Sequence, residues 1–106
     1  MRKTMMLGGL FLAAALAILV SASQKHYYVP PRGFVPDEKT ATRIAEAVWV
    51  PIYGEEVIRG EKPFVASLKS DVWTVHGSLP KGRVGGVAIA EISKSDGRIL
   101  RVSHGR

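Results

Sequence analysis

Apolar residues recur at Ala41, Ile44, Ala45, Val48 and Ile52, while Lys39, Arg43 and Glu46 lie off that line. Spacings of three and four place these apolar side chains on one face of a helix. Asp37 precedes the run, where a carboxylate caps the orphan amides of a first turn, and Glu38 adds favourable negative charge there. Pro51 has no amide hydrogen and its ring crowds the preceding turn, so the helix is expected to end or kink near Val50. "PIYGEEVIRG" then reads as a short resumption, with Pro51 in its first turn and Gly60 stopping it.

After "EKP" the period becomes two. "FVASLK" puts Phe64, Ala66 and Leu68 on one face. Ser70 and Asp71 make a tight turn. "VWTVHGSL" puts Trp73, Val75, Gly77 and Leu79 on one face and Val72, Thr74 and His76 on the other, which predicts an antiparallel hairpin. "VAIAEIS" and "RILRVS" are two further strands joined by "KSDG", where Gly97 supplies the positive φ of a short turn. The sheet's apolar face needs a cover, and the helical stripe is the surface available for it. The expected class is α+β: one kinked helix on a four-stranded antiparallel sheet.

The chain before the helix divides in two. Residues 1–22 follow the three-part plan of a secretion signal: Arg2 and Lys3, an uncharged run from Leu7 to Val20, then small residues, with a cut expected after Ala22, or alternatively after Ser23. The alternative is an anchor held by residues 7–20, but that run has 14 residues, against the roughly 20 that span hydrocarbon as a helix. Residues 23–36, with three prolines and neither period, read as an extended leader, ordered where Tyr27, Tyr28 and Phe34 find apolar cover. Residues 37–106 form the expected domain. Export would place it in the periplasm.

Removing residues 1–22 from 106 leaves 84, enough for one small core. With no cysteine, packing alone must hold it, and neither a disulfide nor a thiolate metal site is available. Seven basic and seven acidic residues balance between Ser23 and Leu79. The excess lies beyond: Lys81, Arg83, Lys94, Arg98, Arg101 and Arg106 against Glu91 and Asp96. Such a patch attracts acidic protein, anionic lipid or nucleic acid. Nucleic acid fits worst, because no aromatic residue interleaves with these charges.

Candidate chemistry is sparse. "GSLPKGRVGG" has the glycines and cations of a phosphate loop, but its final glycines lead into a strand instead of a helix N-terminus. It reads as a wide connection between strands. His26, His76 and His104 lack the spacing of metal ligands. His76 is expected to be a half-buried packing residue. His104, on the tail of the last strand, can bond a partner or cap the strand end. Glu55, Glu56 and Glu61 sit in a polar stretch where carboxylates are normally solvated. Trp49, Tyr53 and Trp73 fall within apolar periods and are expected in the core. Neither catalysis nor a cofactor is expected.

The segments "AEAVWVPIYGEE", "EKPFVASLKSDVWTVHGSLP" and "GGVAIAEISKSDGRILRVSHG" closely resemble the small bacterial immunity proteins described as nuclear transport factor 2-like, over about residues 27–106. The most specific motifs are Trp49-x-Pro51-Ile52-Tyr53-Gly54, Lys62-Pro63-Phe64, Trp73-x-Val75-x-Gly77-x-Leu79-Pro80, Gly85-Gly86-Val87, Asp96-Gly97 and Ser103-His104-Gly105. The resemblance implies a cystatin-like fold, a helix on a curved antiparallel sheet, and a non-catalytic protein that protects its producer by binding a cognate toxin. With the expected export, that toxin would be met in the periplasm. The basic C-terminal quarter points to an acidic toxin face, with Arg83, Arg98, Arg101 and His104 as contacts. Two other uses stay open: an envelope accessory or inhibitor protein of cystatin-like fold, and a small-ligand-binding domain.

Overall fold

The computed structural model describes residues 26–105; the expected signal, residues 1–22, lies outside them. Helix α1 (Glu38–Tyr53) and a short α2 (Glu55–Arg59) precede four strands: β1 (Val65–Lys69), β2 (Val72–His76), β3 (Ala88–Ser93) and β4 (Ile99–His104). The strands form one antiparallel sheet in the order β1-β2-β3-β4. The α+β class and the strand order match the alternation in the sequence. The kinked helix does not: there are two helices, and the break falls at Gly54 (φ 97°) instead of Val50.

Helix α1 runs through Pro51 for a local reason. The bond that proline cannot make would go to the Ala47 carbonyl. Ala47 and Pro51 are both exposed, so water can serve that carbonyl. At the other end Asp37 accepts from the Thr40 amide at 2.8 Å and from the Thr40 hydroxyl at 2.6 Å. That hydroxyl bond, then the amide bond, holds the Asp37 carboxyl below the ordinary carboxylate range.

The helix buries Ala41, Ala45 and Trp49, leaves Ile44 half-buried, and leaves Ile52 57% exposed. The expected stripe ran nearly parallel to the helix axis. The buried row instead follows steps of four, which drift around the helix, so the contact with the sheet is inclined to the axis and Ile52 falls off its end. Ala66, Trp73, Val75, Ala88, Ala90 and Ile92 form the sheet's side of the core. Small alanines on both layers leave room for the two indoles. Trp49 meets the Phe64 ring edge-on at 5.3 Å between centroids.

The leader is anchored differently from the expectation. Tyr27 and Tyr28 are exposed, and Phe34 is half-exposed; Val35 is the buried residue. Phe34 N–H donates to Ser95 O and Val35 N–H to Lys94 O, each at 3.0 Å, so the chain pairs with the β3–β4 turn. Trp73 Nε1–H closes the clamp on Val35 O at 2.7 Å. Gly33 (φ +85°) allows the approach, because a Cβ there would lie 2.5 Å from Lys94 O. Leu68 and Leu79, expected on apolar faces, are also substantially exposed. The first lies on edge strand β1 and the second past the end of β2.

Candidate functional site

One carboxylate ties together the end of α2, β3 and β4. Gly60 stops α2, and Glu61 turns inward to become 94% buried. Its Oε1 accepts the Ala88 amide of β3 at 2.7 Å, and its Oε2 accepts Nε2–H of His104 from β4 at 2.7 Å. Its backbone carbonyl accepts the Ser78 amide at 2.6 Å, and its own amide donates to Ile58 O at 3.0 Å. Glu61 was expected to be solvated. It is buried because every polar atom of its side chain has a partner and because Gly77 has no side chain. A Cβ at Gly77 would stand 2.5 Å from Glu61 Oε1.

His104 is held from both sides. Its Nδ1 lies 2.6 Å from the Gly105 carbonyl, and the Tyr53 ring packs against it at 4.9 Å between centroids. Two acceptors facing two ring nitrogens require two N–H donors, so this geometry is that of the imidazolium. The Glu61 bond first, then the Gly105 carbonyl, raise the His104 pKa above the ordinary histidine value; burial opposes them. Both ring nitrogens and both carboxylate oxygens are engaged. The pair acts as a clasp between the Glu61 segment, β3 and β4.

Over this clasp lies a groove of about 450 Å³, walled by Val57 and Gly60 on one side and by the Leu79–Gly86 connection on the other. The connection is tied by Arg83 N–H to Pro80 O at 3.0 Å. Val84 stands 97% exposed on it, and Arg83 lines the groove beside it.

Of the four residues expected to meet a partner, Arg83 and His104 come together at this groove. Arg101 lies elsewhere, bonded to Glu91 across β3 and β4 at 2.7 Å. Arg98 is in the β3–β4 turn, where its amide donates to Asp96 at 2.9 Å. His76 is exposed, not half-buried: it projects from the sheet face opposite the helices, which no described element covers. Glu61 was missed by sequence reasoning. The signal that could have found it is Gly77, a residue without a side chain on the apolar face of a strand pattern. Among the described residues no group of three or more His, Cys, Asp or Glu could hold a metal ion.

A helix pair on one face of an open antiparallel sheet, with a groove at one end, defines a small α+β scaffold. Residues 40–106 match the family described as "NTF2 fold immunity protein", and the chain belongs to it. Two Escherichia coli (strain K12) proteins are similar. YhhH is 36% identical over 76 residues, which are 71% of this chain and 60% of that protein. YbbC is 37% identical over 73 residues, 68% of this chain and 60% of that protein. Both are described as uncharacterized, and the chain spans about 60% of their length. No solved structure matches the chain.

Proposed function

We propose that this chain is exported and protects its producer by binding a cognate protein toxin in the periplasm. Membership of an immunity family supports the protective role. The observation that carries the choice of surface is the groove rim: a fully exposed valine, Val84, beside Arg83 on a glycine-rich connection. An exposed apolar residue next to an arginine is the composition of a protein contact, and arginine pairs in a fork with carboxylates. Lys81 and Arg83 form no ion pair among the described residues, which fits an acidic toxin face.

A buried carboxylate facing the groove would favour a small-ligand role if it kept an oxygen free to meet the ligand. Glu61 faces the groove, but both its oxygens are taken by Ala88 and His104. The protein-binding reading is therefore preferred.

Protection is the test. A strain deleted for this gene is grown in contact with its parent. The parent should outcompete it. The wild-type gene and an R98Q/R101Q double variant should rescue, whereas an R83Q/V84D double variant of unchanged folding should not. A deletion strain that competes as well as its parent would end the immunity reading. Rescue by R83Q/V84D would move the interface away from the groove. Mass spectrometry of the periplasmic fraction tests export: the expected mature chain begins at Ser23.

A further inference from the structure

We propose that the Glu61–His104 pair is a proton-controlled latch on the groove: with the ring doubly protonated the Gly105 end of β4 is held against Gly86, and loss of one ring proton frees it. The geometry sets this up. His104 Nε2 faces a carboxylate and Nδ1 faces a carbonyl, at 2.7 and 2.6 Å. A neutral imidazole carries one N–H, so one of these contacts must become lone pair against lone pair. The Glu61 contact is half-buried and charge-assisted, whereas the Gly105 contact is exposed. The remaining proton therefore stays toward Glu61, and the Gly105 carbonyl is released.

Gly105 matters to the groove. Its amide donates to Val87 O at 3.2 Å, and a Cβ on it would lie 2.7 Å from Gly86 Cα. Gly86 and Gly105 both line the groove wall, so the end of β4 and the glycine connection share one packed contact. The groups facing His104 come from several elements: Tyr53 from α1, Glu56 from α2, Glu61 after it, and Arg83 from the connection. The Glu61 bond and the Gly105 carbonyl favour the charged ring, and burial opposes it. The raised His104 pKa agrees with that balance. Any consequence for a toxin rests on the groove being the docking surface; the latch itself does not.

The test uses the free, full-length protein, so it succeeds or fails independently of any toxin. Nuclear magnetic resonance follows the ring of His104 and the amides of Gly86, Val87 and Gly105 from about pH 5 to 9. His104 should titrate above about 6.5, the ordinary histidine value. The Gly86 and Gly105 signals should move with the same midpoint. Above it, Gly105 amide exchange, corrected for its intrinsic rise with pH, should be about five- to tenfold faster, the factor one hydrogen bond controls. In H104Q both responses should vanish. The latch is overturned if Gly86 and Gly105 stay unchanged through the His104 transition, or if His104 titrates at or below the ordinary value. The wild-type titration decides this even if H104Q does not fold.

Discussion

The Glu61 carboxylate receives the Nε2–H of His104 at 2.7 Å across 43 positions of sequence. That bond joins the end of the helical segment to the last strand. The same carboxylate holds Ala88, so one side chain fixes where β3 and β4 lie relative to α2. The clasp also forms the floor of the groove beside which Arg83 and Val84 stand.

Replacing Glu61 should show how much the clasp contributes. E61A leaves the Ala88 amide and the His104 ring without their acceptor. It should destabilise the fold by about 3 kcal/mol, the low end for breaking a buried pair, because His104 keeps some contact with water. E61Q keeps an oxygen for Ala88 and should cost about half as much. Urea denaturation of the three proteins checks both values.

Stability should depend on pH through His104. Its folded pKa is raised by Glu61 and then by Gly105. The stabilisation is therefore fully present below the unfolded value, about 6.5, and is lost as pH rises through the folded value. Denaturation midpoints should fall with rising pH across that window in the wild type. The H104Q variant should lack this decline.

Gly77→Ala tests the space that admits the carboxylate. The added methyl would lie 2.5 Å from Glu61 Oε1 and 2.8 Å from its Cβ. Relief requires Glu61 to move off Ala88 and His104. The expected cost is about 1–3 kcal/mol, as for other overpacked sites, together with a lower His104 pKa. Thermal melting and the His104 titration would read the two effects separately.

Trp73 ties the leader to the sheet. The indole is 95% buried, and its N–H donates to Val35 O. W73A should cost roughly 3–5 kcal/mol. W73F keeps most of the packing but leaves the carbonyl without its donor, at about 1–3 kcal/mol. Amide exchange at Phe34 and Val35 should rise in W73F before global unfolding does.

The sequence by itself determined the order of elements. A helix with spacings of three and four, then four strands of period two, is written in neighbouring residues, because both periods arise from backbone geometry within a few positions. The Asp37 cap, the Ser70–Asp71 turn and the motifs shared with an immunity family are equally local. Tertiary structure alone decided the rest. Ile52 is exposed because the helix meets the sheet along an inclined row. Val35, not its aromatic neighbours, enters the core because the β3–β4 turn offers two carbonyls to the leader and Trp73 donates to Val35 O. Glu61 reads as a solvated carboxylate among charged residues. Burying it costs free energy unless its charge finds donors. Those donors are the Ala88 amide and the His104 ring, brought together only when β3 and β4 pair beside the space left by Gly77.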